Sequence, residues 1–278
     1  MLEMIVLGAG GAVPTPTHGP PAYWVAADQV GVLVDPGPGA VIRLLRDGRG
    51  PASLDGLDRV LLTHLHLDHC ADLAPLLFAL HSPVLASRRT FVVAGPHGLG
   101  DYLERLRDLY GSWLDPHQRE LVVRECGPGE RLRLADLAPA GADDPGPVVE
   151  TFAAAHAEER FTAVSLVLRF VDRQGRRLVY GGDGGPSADL VEAARDADLL
   201  VVECSTSDRW ALDGHMNPTR VGELAAAANP RQVALTHQYP DAAAADLVAA
   251  VRRHWPGAVI QLEDGRRLTV PSDDRGER

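Results

Sequence analysis

A chain of 278 residues that is 45% hydrophobic and 23% charged can bury one large core, which excludes a disordered or fibrous protein. Its net charge of -11 disfavours broad attraction to nucleic acid or anionic membrane, because phosphate binding draws on clustered positive charge. Lysine is absent, so every fixed cation is an arginine, which reads first as composition bias and only then as a device for phosphate contacts. No apolar run approaches the ~20 residues that span a bilayer, and Met1–Val6 lacks a basic leader with a cleavage site. A cytoplasmic protein is therefore expected. Cys70, Cys126 and Cys204 form no close pair, so their expected role is packing.

Aliphatic runs punctuated by Gly and Pro alternate with Ala/Leu/Arg-rich segments at helical spacing, an α/β pattern. In chain order it predicts strands at 4–8, 23–27 and 31–35, a helix at 40–47, a strand at 59–63 and a helix at 69–80. Strands at 84–86 and 91–94, a helix at 98–110 and strands at 121–124, 149–154, 164–171 and 177–180 follow. The last third reads as helix 187–194, strand 199–203, helix 218–228, strand 232–236, helix 242–254 and strand 258–261. Turn-sized connections between the early strands point to antiparallel hairpins and exclude a purely parallel sheet. The Pro/Gly/Asp-rich stretch 139–147 reads as a loop within one domain covering 1–270, with 271–278 as a mobile tail.

The chemistry concentrates at His64-Leu65-His66-Leu67-Asp68-His69, three imidazoles and a carboxylate directly after an apolar strand. Side chains alternate along extended backbone, so His64 and His66 share a face, and a turn into the next helix brings Asp68 and His69 round to them. Four donors exceed the three that one catalytic zinc takes, which points to two metals. An internal echo, Val60-Leu61-Leu62-Thr63-His64 and Val233-Ala234-Leu235-Thr236-His237, suggests that two buried strands deliver a histidine to one shared edge.

His-x-His-x-Asp-His after a hydrophobic strand resembles the signature of the metallo-β-lactamase superfamily. The other motifs fall in that family's order: Asp35 in an Asp-Pro-Gly turn, His156 at a strand end, Asp183 among glycines 181, 182, 184 and 185, and His237. The resemblance implies an αβ/βα four-layer sandwich, two mixed sheets flanked by helices, with metals at one edge. It implies His64, His66 and His156 for one zinc, Asp68, His69 and His237 for the other, and Asp183 between them. Manganese or iron would suit the same donors. A hydroxide held between two such cations is nucleophilic near neutral pH, and Asp68 could orient it or accept its proton.

His215, in Asp213-Gly214-His215-Met216-Asn217-Pro218, resembles the Gly-His element of ribonuclease Z and related phosphodiesterases. That likeness implies proton donation to a leaving alkoxide or contact with a phosphoryl oxygen. The opening Leu7–Pro16 also matches that subgroup; it lacks the Gly-x-Gly-x-x-Gly spacing of a dinucleotide site and reads as a loop lining the site with backbone amides. No basic arm interrupts the scaffold, and His18 stands where those enzymes carry arginine, so a small substrate is expected and tRNA is not.

The leading reading is a dinuclear zinc phosphodiesterase for a small or cyclic phosphodiester. The same centre would also hydrolyse an ester, lactone, thioester, sulfate or lactam, and a non-catalytic carrier keeping the metal site is the reading from another class. Glu203 is either a carboxylate orienting a ligand histidine or a plain strand terminus. The other histidines, His18, His81, His97, His117 and His254, read as structural or solvent-exposed. Residues 81–147 are the place for a lid or an oligomer interface, with a homodimer as the expected partner state.

Overall fold

The computed structural model describes residues 1–156 and 164–270. Their strands are β1 (Leu2–Gly8), β2 (Ala22–Ala27), β3 (Val30–Val34), β4 (Arg59–Leu61), β5 (Phe91–Pro96), β6 (Leu121–Cys126) and β7 (Arg131–Arg133). The second half supplies β8 (Val148–Ala153), β9 (Leu166–Val171), β10 (Arg177–Tyr180), β11 (Leu199–Glu203), β12 (Gln232–Thr236), β13 (Ala258–Gln261) and β14 (Arg267–Val270). They form two seven-stranded sheets, ordered β14-β1-β2-β3-β4-β5-β6 and β13-β12-β11-β10-β9-β8-β7. The chain thus lays down six strands of one sheet, builds the other and returns its last strand to the first. Each sheet is mixed: β1, β2 and β3 pair antiparallel and β3 to β6 parallel, whereas β7 to β10 pair antiparallel and β10 to β13 parallel.

Period-two alternation sorts the side chains into layers. Met4 and Val6 of β1 join Leu166, Leu168 and Phe170 of β9 and Tyr180 of β10 in a core between the sheets. Ile5 and Leu7 face the other way and pack with Leu44, Leu76 and Leu77 of the first helical layer. On the second sheet the outward set is Leu200, Val202, Val233 and Leu235, which meet Leu190, Val221 and Leu224 of the second helical layer. This is the four-layer sandwich with mixed sheets that the motifs implied.

The helices are α1 (Ala40–Asp47), α2 (Leu67–Cys70), α3 (Leu73–Leu80), α4 (Leu99–Tyr110), α5 (Ala188–Ala194), α6 (Pro218–Ala228), α7 (Pro240–Ala243) and α8 (Leu247–Arg252). Two expected helices are divided. The 69–80 segment breaks before α3 because the Asp72 carboxylate accepts the amides of Gly39 (2.8 Å) and Val41 (3.0 Å), tying it to the start of α1. The 242–254 segment breaks at Asp246, whose carboxylate accepts the Ala249 amide (2.9 Å) and starts α8 anew. No strand forms at 84–86, since the Ala86 and Ser87 amides turn to the Asp55 carboxylate (2.9 and 2.8 Å). The two short strands β7 and β14 carry arginines in place of an apolar run and left no signal in the sequence.

The 139–147 stretch is a loop whose ends return to its neighbours through Ala140 N to Arg131 O and Leu134 N to Pro147 O. The expected tail, 271–278, lies outside the described residues. Residues 81–147 supply β5, α4, β6 and β7, with Tyr110 and Trp113 beside Phe78 of α3 in an exposed aromatic cluster. All three cysteines are free and buried, and burial raises each thiol above its usual range, as packing roles require. Among the described residues no helix is long and apolar enough to cross a membrane.

Phe170 is fully buried between the sheets. Phe170→Ala should lower unfolding free energy by about 3–5 kcal/mol in denaturant titration, and a loss below about 1 kcal/mol would contradict the central position of this layer.

Candidate metal centre

The site forms where strands of both sheets end at one edge. Asp35 follows β3, Thr63 to His69 follow β4, His156 lies beyond β8, Asp183 follows β10, Glu203 ends β11 and His237 follows β12. The two edges are joined directly, for the Leu166 amide donates to the Thr63 carbonyl (3.0 Å) and Tyr180 OH donates to Asp35 (3.0 Å). Asp35 and His237 both adopt positive φ, 46° and 51°, a conformation that costs non-glycine residues of order 1–3 kcal/mol. Each turns a side chain out of its strand direction and into the shared edge.

Seven expected residues meet there in two groups. Donor atoms of His64, His66, His156 and Asp183 lie within 4.8 Å of one another, and so do those of Asp68, His69, Asp183 and His237. Asp183 belongs to both. Its oxygens stand 3.3 Å from His69 Nε2, 3.1 Å from His237 Nε2 and 4.0 Å from His64 Nε2. His66 Nδ1 and His156 Nε2 are 3.1 Å apart, and Asp68 Oδ2 lies 3.4 Å from His237 Nε2. Gly182, at φ 60°, lets the chain turn Asp183 inward where an added Cβ would come within 3.0 Å of the Leu166 carbonyl.

Three of these atoms, His64 Nε2, His69 Nε2 and Asp183 Oδ1, are buried without a hydrogen-bond partner among the described residues. An unsatisfied buried polar atom costs about 1–3 kcal/mol, so three of them converging fit a divalent cation, and imidazole with carboxylate is a donor set for zinc, manganese or iron. Burial pushes His64 well below its usual range and His156 down to about 4, leaving both rings neutral with lone pairs to offer at pH 7. Burial resists ionisation of Asp183, but His237 and His69 beside it outweigh that and keep it a carboxylate.

Behind the donors stand two fully buried carboxylates. Asp35 accepts the Thr63 amide (2.7 Å) and hydroxyl (2.7 Å), Tyr180 OH and His69 Nδ1 (2.9 Å); Thr63 Oγ1 in turn lies 3.0 Å from His64 Nδ1. Glu203 accepts the Gly184 amide (2.6 Å), the Ser205 hydroxyl and His215 Nδ1 (2.9 Å), while Ser205 Oγ lies 2.9 Å from His237 Nδ1. Glu203, at the end of β11, thus contacts His215 directly and the expected ligand His237 only through Ser205. His215, half-buried, stacks parallel to His237 with ring centroids 6.1 Å apart and meets His156 edge-on at 5.4 Å. Burial disfavours its charged form, yet the Glu203 carboxylate outweighs that and raises its pKa.

Sequence reasoning missed Thr63 and Tyr180 as parts of the site, and of Ser205 it read only a place, beside Glu203, at a strand end that could face the active edge. Thr63 had a signal, its place in the repeated Thr-His pair, but the echo misleads on the other strand. Thr236 Oγ1 pairs with Tyr23 OH (2.6 Å), and Ser205 serves His237. The glycine loop also differs from expectation. The Ala9, Gly10 and Gly11 amides bond to Asp264, Gly19 and Gln238, so they are spent inside the fold; the loop touches the site through Gly11, where a Cβ would sit 3.0 Å from the His237 ring. His18 is buried and structural, with Nδ1 on Thr17 Oγ1 (2.9 Å) and Nε2 on the Leu262 carbonyl (3.3 Å). His81, His97 and His254 bond to Asp115, Glu125 and Thr219, away from both donor groups, and His117 is exposed beside His81.

Residues 31–238 match the model of the Beta-lactamase superfamily domain. The chain belongs to the metallo-β-lactamase superfamily. Within that superfamily it is 32% identical to Ribonuclease Z of Bradyrhizobium sp. (strain ORS 278), over 97% of this chain and 100% of the relative. It is 30% identical to an uncharacterized protein of Mycobacterium tuberculosis, over 93% of this chain and 88% of the relative. The metallo-beta-lactamase fold protein YhfI from Bacillus subtilis superposes with a TM-score of 0.77 at 21% identity, covering 97% of this chain and 100% of the other. The family model and the ribonuclease Z match set the chain in the ribonuclease Z-like subgroup of metal-dependent hydrolases, a family that binds divalent metal.

Removing Asp35 leaves four donors facing an empty buried space. Asp35→Ala should destabilise the metal-stripped protein by about 3–5 kcal/mol in denaturant titration; a cost under about 1 kcal/mol would mean that this carboxylate does not organise the edge.

Proposed function

We propose that this protein hydrolyses a small or cyclic phosphodiester at a dinuclear zinc centre. The observation that carries the reading is the pair of donor groups sharing Asp183, with His215 held beside them by Glu203. His64, His66 and His156 would hold one ion, Asp68, His69 and His237 the other, with Asp183 contributing to both. Bound there, two divalent cations supply the charge that activates water and neutralises a phosphoryl oxygen.

The chain's own residues do the rest. Asp68 is the more exposed of the two carboxylates in the cluster, at 14% for its side chain against 3% for Asp183, so it can meet the attacking water, orient it and take its proton. His215 donates from Nε2 to the leaving alkoxide as the P–O bond breaks, since Nδ1 is engaged by Glu203. Glu203 fixes that orientation and stabilises the charged ring, which favours the acid form before transfer. A neutral His156 and a neutral His64 remain donors throughout.

Charge supports a small substrate, for a net charge of -11 disfavours broad attraction to a folded RNA. The kinship with proteins named ribonuclease Z makes RNA the competing substrate. The carboxyl-ester, lactone, thioester, sulfate and lactam readings use the same centre without needing His215.

Purified protein should carry about two zinc ions per chain by elemental analysis and hydrolyse bis-p-nitrophenyl phosphate. Turnover confined to ester, thioester and lactam substrates would reject the phosphodiesterase reading; cleavage of a tRNA precursor without any small-phosphodiester turnover would reject the small substrate. His215→Ala should lower kcat by about 10²- to 10⁴-fold with zinc content intact, and an unchanged kcat removes its proposed role.

A further inference from the structure

Each of the two buried carboxylates serves one histidine directly and a second through a hydroxyl. Asp35 holds His69 directly and reaches His64 through Thr63; Glu203 holds His215 directly and reaches His237 through Ser205. The proton inventory fixes the direction of both relays. A hydroxyl has one proton, and in each relay it is given to a carboxylate that can only accept. Thr63 Oγ1 and Ser205 Oγ are then left as acceptors, so the proton between hydroxyl and ring belongs to the histidine, on Nδ1. With Nδ1 protonated, a neutral ring carries its lone pair on Nε2. That is the atom that His64 and His237 each point at Asp183, at 4.0 and 3.1 Å.

We propose that Thr63 and Ser205 are positioning residues for the metal centre, each setting the tautomer and orientation of one ligand histidine, one hydroxyl per donor group. The assignment rests on the two-ion reading above. The relays occupy different sheets, Thr63 after β4 and Ser205 after β11, and reach histidines in different donor groups. Their effects should therefore separate by ion. A hydroxyl that merely filled space would be replaced without loss by a group of similar shape, whereas Thr63→Val and Ser205→Ala remove the acceptor and leave Nδ1 without its partner.

The test is zinc binding to the full-length protein, stripped of metal and titrated in competition with a chromogenic chelator, so that two dissociation constants are read. Thr63→Val should weaken the ion held with His64, and Ser205→Ala the ion held with His237, each by roughly 10- to 100-fold. Thr63→Ser and Ser205→Thr keep the hydroxyl and should bind close to the parent. Both zinc ions held at parental affinity by Thr63→Val and Ser205→Ala would overturn the proposal, as would equal losses in the hydroxyl-retaining variants. Should Thr63→Val fail to fold by circular dichroism, the Ser205 pair decides alone. A parent protein that binds fewer than two zinc ions would overturn the two-ion reading itself, and this assignment with it.

Discussion

Two carboxylates buried without solvent contact, Asp35 at the edge of one sheet and Glu203 at the edge of the other, are the constraint on which the site depends. A buried carboxylate is tolerated only when its oxygens are filled by donors. Here the donors include the groups that must be held still: two histidines directly, two hydroxyls that each hold a further histidine, and the Thr63 and Gly184 amides. Satisfying the carboxylate and aiming the imidazoles are one and the same requirement. The sandwich supplies the geometry, because strands from both sheets end at a common edge and Tyr180 reaches across from the second sheet to Asp35.

The site concentrates unfavourable features that the surrounding layers must stabilise. Asp35 and His237 sit at positive φ, and three buried polar atoms have no hydrogen bond among the described residues. Against these stand three extensive apolar layers, one between the sheets and one under each helical face. Divalent cations would turn the same features to advantage, since the neutral His64 and His156 and an ionised Asp183 are donor states that such cations select. The apolar layers hold the donors in place, and the donors' unmet valences are what a cation satisfies.

What the sequence revealed was local, and what it hid was distant. His64, His66, Asp68 and His69 are packed within six positions, and His156, Asp183 and His237 gain meaning from their order and their places at strand ends. The aliphatic runs of β1, β9 and β11 likewise marked strands. Tyr180 carried no such mark, because its partner lies 145 residues away, and Ser205 showed only its strand-end place, because the histidine it reaches lies 32 residues away. The repeated Thr-His pair was half true: Thr63 bonds its neighbouring histidine, while Thr236 turns to Tyr23 across the core. Helices 69–80 and 242–254 were divided by single aspartates whose carboxylates found backbone amides, a choice that periodicity does not record.

The central proposal is that Asp183 would be shared by two cations, one for each donor group. Anomalous diffraction at the zinc edge from crystals of the zinc-loaded protein tests it most directly. Two peaks flanking the Asp183 carboxylate are expected, one against His64, His66 and His156 and the other against Asp68, His69 and His237. A single peak, or peaks remote from Asp183, would contradict the account.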